Sequence, residues 1–456
     1  MVAEGQSWTT AELLQRARAA SAWLDDIDAA PGSPVAALMW SSPSALALVV
    51  AGALSGRPVA PLGPLLTAQE VTSSLDGLGS GVLGADEATD ELAGAVAAQT
   101  GLRVARIPAF EPVGAVSPPS RSELGDVAVV LHTSGTSGRP TRVLWRQGPL
   151  GSRTLVNGGL LDVGPGDVYV TAKGVHHIGG LGLTLVALAA GAAVVPFPRF
   201  TTSHWRRLAS LGPTHASVVP TMIEMLLDEG PLRLPSLRVL QYGGAPIHPS
   251  TLARLLDQEP DLDVVALYGQ TEGSPIACLT AQDHRRAATG RADLLETAGR
   301  AAPGVELRIE SPGGDGVGEV CARADHFSRI DGDGWLRTGD LGLVDGEGYL
   351  RLVGRMGDGI VRGGENVHPG EVERVLARHP AVKDVAVAGL PDRRLGQVVG
   401  AWVVPTDPAS PPDPGELRRF AREHLAGFKV PEVWTTCVDL PRNANGKVAR
   451  RRLAPG

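Results

Sequence analysis

The sequence predicts an α/β protein in layers: a large N-terminal domain of αβ subdomains with a β-rich subdomain attached, then a small, mobile α+β C-terminal domain. Three observations carry this. Helical and strand patterns alternate at short intervals from Thr9 to Leu267, as in mostly parallel sheets covered by helices. From Gly304 to Leu352 the text changes to short strands with frequent Gly and Asp. After Gly354 a separate unit holds two amphipathic helices, Pro369 to Arg378 and Pro414 to His424, with the Pro-rich stretch Pro405 to Pro414 as a loop inside it. A chain of 456 residues exceeds one typical domain, and the boundary falls between 1–356 and 357–456.

Taken in order, Thr9-Thr10-Ala11-Glu12 is a capping box that opens a helix to about Leu24. Val35 to Met39 is a buried strand, Ser44 to Leu54 a helix, Val59 to Leu62 the next strand, and Asp126 to Leu131 another, running into a glycine-hydroxyl loop. A second αβ pass follows: strand Ala216 to Val219, helix Thr221 to Leu227, strand Val239 to Tyr242, helix Pro249 to Leu256, strand Val264 to Leu267. The apolar stretch Ile178 to Phe197 has about the 20 residues a membrane span needs. Gly179, Gly180, Gly182 and Gly191 break it into a buried helix and a short strand at Ala192 to Val195, so no membrane span is expected.

Composition narrows the function. Hydrophobic residues at 43% and charged residues at 20% are globular values, and 58 Gly and 36 Pro imply many tight loops. A net charge of -7 without a compensating basic face argues against a nucleic-acid partner, and Arg450-Arg451-Arg452 reads as a solvated tail. Cys278, Cys321 and Cys437 are widely spaced, without CxxC or Cys/His spacing, so neither a disulfide framework nor a structural zinc site is expected. A reducing cytoplasm fits, and no basic segment followed by an apolar one marks a signal peptide at the N-terminus.

Four segments and one lysine carry chemistry. In Thr133-Ser134-Gly135-Thr136-Ser137-Gly138-Arg139-Pro140 the glycines let backbone N–H groups approach an anion and the hydroxyls add donors, so the loop can cradle phosphate oxygens; the alternative is a flexible surface loop. It is not a Walker A loop, since Pro140 and a returning strand at Val143-Leu144-Trp145 follow instead of a helix. Tyr268-Gly269-Gln270-Thr271-Glu272 sits at the end of a buried strand, where such sheets place ligands. Tyr268 offers a face for a purine, Thr271 a hydroxyl for phosphate and Glu272 an oxygen ligand suited to magnesium; a strand-turn with a solvated glutamate is equally open. Arg337-Thr338-Gly339-Asp340 ends in a carboxylate able to accept both ribose hydroxyls, or in an ordinary turn aspartate. The run Gly354 to Glu373 is dense in glycine, which suits a hinge. Lys447 follows in Asn443-Ala444-Asn445-Gly446-Lys447.

In this order and at these separations the segments resemble the adenylate-forming superfamily of acyl-CoA synthetases, stand-alone adenylation domains and beetle luciferases, over essentially the whole length, and most of all AMP-forming acyl-CoA ligases. The resemblance implies an enzyme that joins a small carboxylic acid to ATP as acyl-AMP, releasing pyrophosphate, and then passes the acyl group to coenzyme A. A carrier-protein phosphopantetheine is the alternative acceptor, and a degenerate nucleotide-binding protein without catalysis the alternative of another class. It implies that Thr133 to Gly138 hold the β- and γ-phosphates and that Tyr268 packs on adenine beside Gly244, Ala245 and Gly269. Thr271 and Glu272 serve phosphate and magnesium, Asp340 and Arg355 the ribose. Lys447 bridges carboxylate and α-phosphate, and Gly363 and Gly364 face the pantetheine arm once the C-terminal domain has turned. His177 matches a histidine bordering the acyl pocket and thiol tunnel, and His176 is either its neighbour there or a packing histidine.

Three departures from that pattern stand out. Where the family continues Pro-Lys-Gly, Pro140 is followed by Thr141 and Arg142, leaving Arg139 or Arg142 to close the loop over ATP. The hinge position, commonly Asp or Lys, is Gly357. The stretch between Glu319 and Trp335 also looks short for the family. Expected pocket walls are His177, Ile178, Gly180, Ser217, Val218, Met222, Gly243 and Ser274, with Gly244, Ala245 and Gly269 beside them. They are mostly small or apolar, and with no lysine or arginine evident there the sequence favours an uncharged aryl or alkyl acid.

Overall fold

The structure is a computed structural model and describes residues 2–3, 6–113, 123, 126–134, 140–197, 199–232, 234–362, 365–442 and 448–453. Two short strands, β1 (Val2–Ala3) and β2 (Gln6–Ser7), pair ahead of α1 (Thr10–Asp26). The capping box starts α1 as its sequence requires: the Glu12 amide donates to Thr9 Oγ1 at 3.1 Å, and the Thr9 amide donates to the Glu12 carboxylate at 2.7 Å.

The first sheet comprises β3 (Val35–Leu38), β4 (Val59–Leu62), β5 (Val82–Ala85), β6 (Arg103–Arg106), β7 (Val127–Ser134) and β8 (Pro140–Arg146), in the order β6-β5-β3-β4-β7-β8. All are parallel except β8, which returns antiparallel to β7. Helices α2 (Pro43–Ser55), α3 (Ala68–Leu75) and α4 (Asp90–Thr100) connect them, α1 and α2 covering one face and α3 and α4 the other. Strands buried on both faces read as continuous apolar runs, which is why β3 and β4 were legible.

Helices α5 (Gln147–Leu161) and α6 (Ile178–Ala189) lie between this sheet and the next. Leu150, Ile178 and Leu181 pack with Val129 and Leu131, whereas Leu161, Leu183 and Val186 pack with Tyr169 and Val194. The second sheet has β9 (Val168–Thr171), β10 (Ala193–Pro196), β11 (His215–Val218), β12 (Val239–Gly243) and β13 (Asp263–Tyr268), parallel in the order β10-β9-β11-β12-β13. Antiparallel β14 (Ala277–Leu279) and β15 (Arg300–Ala301) extend it. Its far face is covered by α7 (Thr202–Arg207), α8 (Pro220–Asp228), α9 (Pro249–Gln258) and α10 (Ala281–Ala288). The apolar stretch after Ile178 is thus a buried helix and a strand, and among the described residues no helix is long and apolar enough to cross a membrane.

The Gly- and Asp-rich text forms an antiparallel meander of β16 (Glu306–Glu310), β17 (Gly318–Arg323), β18 (Leu336–Val344) and β19 (Leu350–Arg355). The last unit has its own sheet, β20 (Ile360–Arg362), β21 (Glu365–Val367), β22 (Val382–Asp392), β23 (Gly396–Pro405) and β24 (Val433–Thr436), with α11 (Pro369–Leu376) and α12 (Pro414–His424). Val372, Leu376, Val387, Val403, Leu417 and Ala421 form its separate core. α11 stops two residues before the expected Arg378, because Arg378 and His379 bond back three residues and tighten the final turn. Ion pairs tie this unit to the body, Lys383 to Asp228 at 3.0 Å and Arg378 to Glu296 at 2.5 Å.

Candidate active site

β13 delivers Tyr268 at its carboxyl end, and β18 of the meander delivers Asp340 to the same place. The Tyr268 phenol donates to Asp340 Oδ2 at 2.7 Å across 72 positions of sequence, and Gln270 Nε2 donates to the same oxygen at 3.1 Å. Arg355, from β19, sits 3.5 Å from Asp340 Oδ1. Burial, reinforced by the Asp340 carboxylate, holds the Tyr268 phenol well above its usual value, so it stays a donor. Three segments the sequence singled out separately are therefore one cluster, and Tyr268, with its ring partly packed on Ile276 and Ala322, is a fixed wall.

The turn beyond β13 is anchored through its backbone. The Thr271 carbonyl accepts the Trp145 indole at 3.0 Å, and the Glu272 carbonyl accepts the Ser328 amide at 2.8 Å. The Glu272 carboxylate makes no hydrogen bond or ion pair among the described residues, which leaves its oxygens for a hard cation. Trp145 belongs to β8, so the returning strand of the β7–β8 hairpin is tied directly to this turn. Thr133 lies at the end of β7, its hydroxyl 3.4 Å from the Thr141 carbonyl across the hairpin. Ser134 ends the strand, while Gly135, Thr136, Ser137, Gly138 and Arg139 lie outside the described residues. Of the two arginines considered for loop closure, Arg142 is turned aside: its guanidinium bonds the Gly77 carbonyl.

Lys447 and Asn443 to Gly446 also fall outside the described residues, as do Gly363 and Gly364. The base of the lysine loop is described. Arg442 and Val448 bridge antiparallel, and Arg442 pairs with Asp384 at 2.5 Å. Asp384 faces His248, which lies just past Gly243, Gly244 and Ala245; burial holds His248 below its ordinary value against the pull of Asp384, Glu224 and Glu373. The C-terminal unit thus stands over the loop that follows β12. Its connection runs through Gly357, whose φ is +81° with open space around it, a conformation glycine adopts without strain.

The acyl side departs from expectation. Consecutive strand residues face opposite sides of a sheet, so Ser217 and Val218 cannot both line one pocket. Val218 packs into the core under α8, and Ser217, fully buried, donates to Gln241 Oε1 at 2.5 Å. Ile178 is likewise buried against the first sheet, and Met222 is only partly buried at the edge of the α8 core. His177 caps α6 and Gly243 ends β12, while Gly180 is packed so that a Cβ would lie 2.2 Å from the Gly174 carbonyl oxygen, and Ser274 accepts from Arg153. His176 is a packing histidine: its ring lies 4.3 Å from that of His177 and against Gly63 and Gly174, and burial next to His177 pushes it down to about 3.

Two cations that the sequence reading missed lie here, correcting the expectation of a pocket without lysine or arginine. Lys173, two residues past β9, is half-buried with its ammonium 3.5 Å from the Gly243 carbonyl. Arg153 of α5 is 3% exposed and donates through Nε to Ser274 Oγ at 3.1 Å. Burial, then the neighbouring Arg153, pushes Lys173 down to about 8, and burial lowers Arg153 to about 10. A lone lysine ending the run Val168-Tyr169-Val170-Thr171-Ala172 was a visible signal. Arg153 gave none, since on paper it belongs to the wet face of a helix.

Comparison with known proteins agrees with this geometry. Residues 1–329 match the family model of AMP-binding enzymes, and residues 371–447 match that of the AMP-binding enzyme C-terminal domain. The fatty acid–acyl-carrier-protein ligase ScoC of Streptomyces coeruleorubidus is 33% identical, covering 99% of this chain and 92% of that protein. Feruloyl-CoA synthase of an Amycolatopsis species is 31% identical, covering 98% and 93%. The structure of o-succinylbenzoate CoA synthetase from Bacillus subtilis with its acyl-adenylate superposes with a TM-score of 0.85 at 27% identity, over 98% of this chain and 93% of that one. With both family models matched in order along one chain, this protein belongs to the AMP-binding enzymes.

Proposed function

We propose that the protein is an AMP-forming acyl-CoA ligase, which activates a small carboxylic acid with ATP and transfers the acyl group to the thiol of coenzyme A. The observation that carries this reading is the Tyr268–Asp340–Arg355 cluster at the end of β13, with the Glu272 carboxylate on the same turn unpaired among the described residues. Asp340 is suited to accept ribose hydroxyls, with Arg355 3.5 Å from its Oδ1, and Tyr268 to wall the base. Thr133, Thr271 and the segment after Ser134 would bind the phosphates. Glu272 would hold a magnesium ion, which neutralises phosphate charge when bound.

The chemistry is the attack of one anion on another. The carboxylate oxygen forms a bond to the α-phosphorus while the bond to the bridging oxygen breaks, and pyrophosphate leaves with that electron pair. Lys447 would act by stabilising the charge that grows on the α-phosphate oxygens in the transition state. The body at 1–356 and the unit at 357–456 would be the two domains. Turning about Gly357 would withdraw Lys447 and bring Gly363 and Gly364 to the thiol path, with His177 at its border. The thiol sulfur then attacks the acyl carbon, its proton passes to solvent, and AMP departs. The likeness to ScoC, a carrier-protein ligase, keeps phosphopantetheine on a carrier protein as the second acceptor. ATP and coenzyme A both belong to the cytoplasm, where we place the enzyme, and the net charge of -7 speaks against a nucleic-acid partner.

Acid-dependent ATP–pyrophosphate exchange tests the reading. Lys447→Ala should cut exchange by about 10²- to 10³-fold while ATP affinity stays within a few fold, because the lysine acts on the transition state. Wild-type protein that exchanges pyrophosphate with no acid, or a Lys447→Ala variant that exchanges normally, overturns it.

A further inference from the structure

Arg153 and Lys173 are two cations drawn out of water on the same side of the second sheet, and among the described residues neither pairs with a carboxylate. Arg153 Nη1 is buried with no hydrogen-bond partner there, and so is the Tyr169 hydroxyl next to it. Burying a guanidinium is unfavourable unless it is paired. The fold nevertheless makes room for this one: a Cβ at Gly182 would lie 2.2 Å from Arg153 Nη1. The Trp145 ring, its centroid 6.0 Å from the guanidinium carbon, gives only a distant cation–π contact, no carboxylate among the described residues balances the charge, and a lysine beside it adds repulsion. Both cations also touch the acyl wall itself, Arg153 through Ser274 and Lys173 through Gly243.

We propose that Arg153 and Lys173 form an anion subsite at the floor of the acyl pocket, so that the acid activated here carries a second carboxylate. Lys173, half-buried, is the open end of the subsite and Arg153 the closed end. One carboxylate reacts at the α-phosphate and the other, unreacted, supplies the missing negative charge. A monoacid of the same shape would leave two desolvated cations facing each other, and sites built around buried polar groups reject such analogues strongly. The inference rests on the reading of the site as one that activates acids.

The test is acid-dependent pyrophosphate exchange with matched pairs: straight-chain diacids of increasing length against monoacids of equal length, and carboxyphenylpropanoic acids against phenylpropanoic acid. At least one diacid should exceed its monoacid partner in kcat/KM by tenfold or more, through KM. In Lys173→Met that ratio should fall towards one, and Lys173→Arg should restore it. Arg153→Met should do the same where circular dichroism shows it folded, and the Lys173 pair decides where it does not. Exchange with monoacids alone, or a diacid preference that survives Lys173→Met, overturns the subsite and leaves acid activation standing. Exchange with no acid overturns both.

Discussion

On the side of the site we propose for the nucleotide, Asp340 already receives the phenol of Tyr268 and the amide of Gln270 and faces Arg355, so its carboxylate is partnered before any ligand arrives. On the side we propose for the acid, Arg153 Nη1, Tyr169 Oη and His176 Nδ1 are buried without partners among the described residues. The first arrangement suits a reactant that never changes, because a site completed in advance loses nothing to reorganisation. The second keeps polar capacity in reserve and lets the correct acid complete it. Discrimination then comes from the penalty that a wrong acid leaves in place.

That contrast can be broken from either side. The largest expected effect is acid lability centred on His176. Its folded value near 3 lies below the usual value of about 6.5, so between those two the unfolded chain binds the extra proton and stability falls as pH falls. From pH 6.5 to pH 4 the loss attributable to this ring is about 3 kcal/mol. His176→Phe should remove that share of the slope in urea unfolding series at the two pH values, leaving the part due to buried His132 and His284, both pushed down to about 4; an unchanged slope would show that the acyl side is not strained by its buried ring.

Next comes the nucleotide side. Asp340→Ala strands the Tyr268 hydroxyl and frees Arg355, and hydrogen bonds to a charged group contribute about 1.5–3 kcal/mol. The apparent ATP affinity should fall by about tenfold to a hundredfold, whereas the ranking of acids should stay as it was. A changed ranking would mean that the two sides are not independent. The smallest effect sharpens the comparison by way of the hinge. Gly357→Ala places a Cβ at φ +81°, which costs about 1–2 kcal/mol in this orientation of the C-terminal unit. Adenylation and thioester formation, measured separately, should respond unequally; equal changes would remove Gly357 as the pivot.

The nucleotide side was legible because its chemistry lies in short contiguous runs at strand ends: Tyr268 to Glu272 and Arg337 to Asp340 needed only to be brought together, and β13 and β18 do so. The layered fold was legible for a related reason, since strands buried on both faces such as β3 and β4 announce themselves as apolar runs. The acyl side was not. Ser217 and Val218 are both small or apolar enough to suit a pocket wall on paper, but the pleat of β11 sends the two to opposite faces. Arg153 was missed because α5 is covered on two sides, by the first sheet and the second, so its polar stripe does not mark solvent. Sequence periodicity reports that a helix has a polar face, and only packing reports what that face meets.

The Trp145 indole, bonded to the Thr271 carbonyl, makes the β7–β8 hairpin and the Glu272 turn a single lever. Under the proposed function, a triphosphate that moved β8 would pull through this bond on the turn that carries Glu272. Nucleotide binding and the alignment of Glu272 would then be coupled through this one hydrogen bond. A variant such as Trp145→Phe, which keeps the ring but cuts the tether, would let the two occur out of step.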